Sequence, residues 1–203
     1  MTRQRMTILV DMDSTVVEIF ERWLREYNET TGDNLAVEEL TTWHTHDHAR
    51  HGRRIYEPLH RKGFFRNLPP IPGAIEALEV LAREHDVIMT SAALFPSNFT
   101  EKVEWVRENL PFLPEENVAL VNRKYLLRGA VLIDDGPHIA ELFRKANPTA
   151  FIAGIEHPYN VAAREFFDVL APSWRHPVKA WNQILEGTLQ YIEALQGRPW
   201  EPR

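Results

Sequence analysis

The stretch LVDMDSTVV, residues 9–17, ends a short apolar or β-favouring run, Thr7–Val10, on two carboxylates placed one residue apart. Such a run is what a buried strand looks like in sequence. Side chains at i and i+2 of an extended segment point to the same side, so Asp11 and Asp13 share one small volume. Two carboxylates held that close cannot both ionise cheaply unless a cation offsets them or one of them keeps a proton. Both remedies are also ways of doing chemistry.

The composition permits an enzyme. The 203 residues suit one domain of ordinary size with a small insertion. With 23 Lys+Arg against 29 Asp+Glu the net charge is −6, and no basic stripe interrupts it, so a nucleic-acid polymer is not an expected partner. A small anion bound locally remains open. The absence of Cys removes disulfide scaffolds, thiolate zinc sites and cysteine nucleophiles together, and makes a reducing cytoplasm the simplest location. The apolar run before Asp11 is too short for a signal segment, and no 18-residue apolar stretch follows, so no membrane is expected.

Strand and helix signals alternate along the chain, which favours an α/β fold with a doubly wound parallel sheet. Strands are expected at Thr7–Val10, Asp86–Met89, Val118–Leu120, Ala130–Ile133 and Thr149–Ala153. Crossover helices are expected over Ala74–His85, Asn98–Leu110 and Ile139–Ala146, and a closing helix over Val178–Leu195. Residues 16–70 break this rhythm. They hold an amphipathic segment, Val17–Tyr27, a His- and Arg-rich stretch from Thr41 to Lys62, and the punctuation LPPIPG, and they read as a small helical cap inserted after strand one. The core domain is then residues 1–15 and 71–203.

Open α/β sheets place ligands at the carboxyl ends of their strands. Strand one ends in Asp11 and Asp13, strand two in Thr90 and Ser91, strand three is followed by Lys124, and strand four ends in Asp134 and Asp135. Each alone has a bland explanation: a turn acid, a capping hydroxyl pair, a solvated lysine. The pair Asp134-Asp135 is harder to dismiss, because adjacent acids at a buried strand end need a partner. Together the four groups supply acids to attack and to protonate, a hydroxyl and an ammonium to hold an anion, and acids to hold a divalent cation. Phosphoryl transfer through an aspartyl-phosphate requires that set.

With these residues in view, DMDST resembles the D-x-D-x-[T/V] motif of the haloacid dehalogenase-like phosphohydrolases, and the hydroxyl, the lysine and the acidic pair follow in that superfamily's order. The match is closer to its 5′(3′)-deoxyribonucleotidase branch, which LVDMD, PPIPGA (69–74), VIMTSA, LIDD and the tail residues Ser173, Trp174 and Trp181 resemble. The resemblance implies that Asp11 takes the phosphoryl group, that Asp13 protonates the leaving oxygen and later activates water, and that Thr90, Ser91 and Lys124 bind the phosphate. It also implies a Mg²⁺ ion between the Asp11 carboxylate, the Asp13 backbone carbonyl and the acidic pair, with Asp135 favoured as the direct ligand and Asp134 orienting Lys124. The implied substrate is a small phosphate ester, with deoxyribonucleoside monophosphates preferred over sugar or hydroxy-acid phosphates. The oligomeric state is open, a homodimer being one option.

Two positions depart from the branch. Ser14 stands where it usually has Gly, which constrains the backbone around the phosphate. Ile19 stands where it offers an aromatic ring to the base, and the cap stretch Thr42, Trp43 and His44 supplies a substitute contact. A competing chemistry is a zinc site in HTHDH, through His44, His46 and His48. Its spacing misses the metallohydrolase pattern by one residue and it follows no strand, so a solvated helical face is the default there. A phosphoacceptor receiver domain uses similar groups with the acidic pair first in the chain, an order opposite to this one.

Overall fold

The computed structural model of the chain describes residues 4–93, 96–172 and 174–197. Six parallel strands, β1 (Thr7–Asp11), β2 (Asp86–Ser91), β3 (Val118–Leu120), β4 (Val131–Ile133), β5 (Phe151–Ile155) and β6 (Val169–Ala171), form one sheet in the order β3-β2-β1-β4-β5-β6. The helices are α1 (Phe20–Thr31), α2 (Ala74–Glu84), α3 (Pro96–Asn109), α4 (Pro137–Ala146) and α5 (Pro177–Leu195). The expected α/β sheet is present, with one strand more than expected. The strand expected at Thr149–Ala153 begins two residues later, at Phe151. β6 escaped the sequence because Val169–Ala171 is three residues long and carries no alternation to detect.

Alternation along β1 divides the interior. Ile8 and Val10 join the larger hydrophobic core together with Leu78 of α2 and Ile184 of α5, while Leu9 joins a second cluster with Ile139 and Phe143 of α4. With both faces covered, a parallel sheet is satisfied. The chain leaves β1 towards β2 and β3, then returns to the other side of β1 for β4. The order therefore reverses between β1 and β4, and the crevice beyond their carboxyl ends is where such sheets bind ligands. Asp11 ends β1, and Asp134 follows β4 immediately.

The segment between β1 and α2 leaves and rejoins the sheet through a narrow neck, where Glu18 N–H donates to Pro69 O at 2.9 Å and Ile71 N–H to Val16 O at 2.7 Å. Because Val16 and Val17 are used in this neck, the helix expected at Val17–Tyr27 is displaced to Phe20–Thr31 and stops at Gly32, which takes a left-handed φ of 72°. The His- and Arg-rich stretch is not a regular helix. It forms short 3-10 turns at Thr45–Asp47, Gly52–Tyr56 and Pro58–His60. Trp23, Tyr27, Leu40, Ile55 and Phe64 are buried beneath it, and such side chains each contribute about 1.5–3 kcal/mol of burial free energy.

α5 closes the molecule, packing on β5, β6 and α2, and Trp181 Nε1–H donates to Thr15 O at 3.1 Å, which ties the tail to the loop after β1. Ser173 of the expected tail motif lies outside the described residues. At Gly154 in β5, an added Cβ would stand 2.5 Å from Asp134 O and 2.9 Å from the Phe167 ring. Gly154→Ala is therefore expected to destabilise the fold by about 1–3 kcal/mol. Because the backbone it displaces carries Asp134, activity should fall with it, as thermal melting and a phosphate-release assay on the same preparation would register.

Candidate active site

Asp11, Asp13, Lys124, Asp134 and Asp135 converge on one cavity of about 730 Å³, whose opposite wall comes from the segment between β1 and α2. Lys124 opens the 3-10 turn Lys124–Leu126 after β3, which aims its ammonium back under β1. Its Nζ lies 2.5 Å from Asp11 Oδ1 and 2.8 Å from Asp134 Oδ2. Asp11 Oδ1 also accepts the Met12 N–H at 2.7 Å, while Oδ2 has no hydrogen bond from the described residues. Asp134 Oδ1 accepts the Gly136 N–H at 2.8 Å. Asp134 is thus spent on Lys124 and the backbone.

Asp135 accepts a short hydrogen bond from the Tyr159 hydroxyl, and Asn160 Nδ2 donates to its backbone carbonyl at 3.0 Å. Carboxylate oxygens of Asp11, Asp134 and Asp135 lie within 4.8 Å of one another. Asp13 stands outside that triangle. Its Oδ2 is 2.5 Å from Lys102 Nζ, and its Oδ1 is buried without a hydrogen-bond partner.

Burial governs the protonation of these groups. It raises the Asp11 carboxyl above its ordinary value, with Lys124 pulling the other way, and it raises Asp13, opposed by Lys102. Asp135 is raised well above its ordinary 3.8, by burial first and by the charge of Asp11 next. For Lys124 burial acts to lower the pKa, but Asp11 and Asp134 outweigh it and the ammonium stays charged. Four carboxylates at the cavity floor thus face two ammonium groups, Lys102 and Lys124, and the surplus negative charge suits one divalent cation. The donors are all oxygen and sit at a buried strand edge, a fit to Mg²⁺ rather than to zinc.

Other expected residues divide. Ile19, Trp43 and His44 line the cavity; Thr42 does not, its hydroxyl being 3.0 Å from His48 Nε2. Trp43 is half exposed and packs against His138 and Tyr159, with ring centres at 4.7 and 5.6 Å. Thr90 and Ser91 are buried and engaged elsewhere. The Thr90 hydroxyl donates to Val10 O at 3.1 Å, because Thr90 sits in register with Asp11 beside the β1 backbone, and Ser91 Oγ accepts from Lys102 at 2.8 Å. The histidine alternative does not assemble. His46 Nδ1 meets the Tyr56 hydroxyl at 3.0 Å and His48 turns to Thr42, and among the described residues only Asp11, Asp134 and Asp135 form a ligand cluster. Ser14, standing in for Gly, takes the left-handed φ of 58° nonetheless. That strain costs on the order of 1–2 kcal/mol and is offset by Ser14 N–H donating to Val17 O at 2.9 Å and by His157 Nε2 at 3.2 Å from Ser14 O. Burial lowers the His157 imidazole to about 4, so it is neutral and donates.

A family model described as 5′ nucleotidase, deoxy (Pyrimidine), cytosolic type C protein matches residues 5–181. The chain belongs to that family. A 5′(3′)-deoxyribonucleotidase of Clostridium acetobutylicum is 31% identical over 169 residues, spanning 81% of this chain and 93% of that protein. One from Bacillus subtilis is 28% identical over 137 residues, spanning 67% and 79%. A solved structure of a HAD family hydrolase from Deinococcus radiodurans R1 superposes with a TM-score of 0.58 at 14% identity, covering 94% of this chain and 97% of that one, which places the fold among the haloacid dehalogenase-like hydrolases. No helix among the described residues is long and apolar enough to cross a membrane.

Missed from the sequence were Lys102, Tyr159 and His157. Asn98, Glu101, Lys102 and Trp105 recur at helical spacing along α3, so a polar stripe on a buried face was the available signal.

A carboxyl raised by burial lowers stability as pH climbs above its unfolded value, and a cation bound to the ionised form reverses that loss. Added Mg²⁺ is therefore expected to raise the melting temperature at neutral pH, with the gain vanishing as pH falls towards the ordinary carboxyl value of 3.8. A scan of melting temperature against pH, with Mg²⁺ and with EDTA, checks both the shift and its sign.

Proposed function

We propose that the protein is a Mg²⁺-dependent 5′(3′)-deoxyribonucleotidase of the cytosol that hydrolyses nucleoside monophosphates through a phosphoryl group carried on Asp11. What supports this most is the placement of Asp11 against Lys124 and Asp134 at the floor of a cavity with aromatic walls.

Substrate phosphate sits over Asp11, whose Oδ1 is held by Lys124 and the Met12 N–H, leaving Oδ2 to attack phosphorus. As that bond forms, the bond from phosphorus to the ester oxygen breaks, and Asp13 passes its proton to that oxygen, so the nucleoside leaves as a neutral alcohol. A buried carboxyl with a raised pKa is suited to keep that proton. In the second half Asp13 accepts a proton from water, the water oxygen attacks phosphorus, and inorganic phosphate and the Asp11 carboxylate are restored. Asp11, Asp135 and the Asp13 carbonyl would hold Mg²⁺, which when bound would neutralise charge on the phosphoryl oxygens. Lys124 adds a fixed cation on the same side. Oxyanion contacts of this kind are each worth roughly 3–4 kcal/mol at the transition state. Thr90 and Ser91 support the floor of the cavity from behind, through Val10 O and Lys102.

The segment 16–70 acts as the cap that chooses the alcohol. Trp43, over Tyr159 and His138, is positioned to stack on the base, with Ile19 and His44 beside it. A stacked base contributes on the order of 1–3 kcal/mol. In a phosphate-release panel with Mg²⁺, deoxyribonucleoside monophosphates are expected to outrank sugar and hydroxy-acid phosphates. Trp43→Ala should raise KM for the best nucleotide about tenfold and alter p-nitrophenyl phosphate turnover much less. A sugar phosphate at the head of the panel would replace the nucleotidase assignment with a broader phosphomonoesterase.

A further inference from the structure

Lys102 is a buried ammonium outside every motif the sequence offers. Its Nζ bonds Asp13 Oδ2 at 2.5 Å, Ser91 Oγ at 2.8 Å and Ala92 O at 2.8 Å. Those three acceptors use all three donors of an ammonium group, so none is left for a phosphate. Lys124 differs: its two carboxylate partners leave one donor free. The Phe65 ring also covers Lys102, with Nζ 4.4 Å from the ring centre.

Phe65 belongs to the segment that forms the cavity's far wall, and its place is fixed by the residue next to Lys102. Glu101 Oε1 accepts the Gly63 N–H at 2.5 Å, and Oε2 accepts the Phe65 N–H at 3.0 Å. Two adjacent residues of α3 therefore grip both sides of the site at once: Glu101 holds the cap backbone, and Lys102 holds Asp13. A buried ammonium is costly to keep unless fully paired, and all three partners of this one lie at the carboxyl end of the sheet, beside the cavity.

The effect on Asp13 is directional. With Oδ2 locked to Lys102, the carboxyl cannot rotate freely, and its Oδ1 is held buried with no hydrogen-bond partner of its own. We propose that Lys102 is a positioning residue that fixes the orientation of the Asp13 carboxyl for proton transfer to the leaving oxygen, and that Glu101 and Phe65 couple this orientation to the seating of the cap. This rests on the proposed function, because it assigns Lys102 its role through proton donation by Asp13.

Leaving-group dependence separates positioning from simple support or direct phosphate binding. A nucleoside alkoxide needs a proton to depart, whereas p-nitrophenolate leaves without one. The experiment measures the single-turnover rate of chain-bound phosphate formation with Mg²⁺, for wild type and Lys102→Met, on a deoxyribonucleoside monophosphate and on p-nitrophenyl phosphate. The expected result is a loss of about 100-fold or more on the nucleotide, less than about tenfold on p-nitrophenyl phosphate, and KM nearly unchanged on both. Equal losses on the two substrates, or a raised KM with the rate kept, would overturn the inference. Should Lys102→Met fail to fold, Glu101→Gln loosens the cap over Lys102 without removing the ammonium. It is expected to give the same split in smaller measure, and an equal loss there counts against the inference in the same way. Wild-type turnover with no chain-bound phosphate would instead sink the proposed function, and the positioning role along with it.

Discussion

One lysine ammonium pinned between two buried carboxylates is the constraint on which the rest of the site depends. Asp11 and Asp134 end neighbouring strands at the point where the strand order reverses, so the fold brings two acids together whether or not they are paired. Unpaired, each would carry a large desolvation penalty or hold a proton. Lys124, delivered by a turn after β3, pairs with both and opposes that penalty at Asp11 without cancelling it, so the Asp11 carboxyl still stands above its ordinary value. Nor is it removed for Asp135, which lies against the same charges and stays raised. The arrangement is stable as a set and still short of positive charge, the condition under which a divalent cation and a phosphate bind as one unit.

The second shaping constraint is the double crossing of residues 16–70 over the end of β1. The neck bonds between Val16 and Ile71 and between Glu18 and Pro69 fix where the segment departs, three residues beyond Asp13. A lobe launched from there has to overhang the acids. Strain in the same loop, at Ser14, is held by partners from Val17 and from His157, which stacks on Tyr159 at 5.1 Å between ring centres. Tyr159 in turn holds Asp135 and abuts Trp43. The loop, the acidic pair and the cap are thereby joined through packed rings.

Much of this was legible in the sequence, for a physical reason. Asp11, Asp13, Asp134 and Asp135 gather at the ends of apolar strands, where acids in pairs need a partner, and Lys124 follows another strand of the same sheet. The sheet was legible because Ile8, Val10, Val87 and Met89 form buried runs that helices cannot share. Lys102 was not, since a lysine inside a charged helix looks like solvated surface until the tertiary packing shows α3 burying Asn98, Glu101 and Lys102. Tyr159 and His157 lie far along the chain in a loop after β5, and no local pattern links them to Asp135. Thr42 was drawn into the site by its neighbour Trp43, but the chain bends there and the Thr42 hydroxyl turns to His48. The His-rich stretch misled for a related reason: three histidines close in sequence spread around short turns, towards Tyr56, Thr42 and the cavity.

The central claim is that Asp11 carries the phosphoryl group. Its most direct test is acid quenching of the protein during turnover of a deoxyribonucleoside monophosphate with Mg²⁺, followed by mass spectrometry of the peptide that contains Asp11. A mass increase of one phosphoryl group located on Asp11, absent from Asp11→Asn, is the expected result. A fully active protein that shows no such adduct at any time point, or that carries it on another residue, would contradict the account.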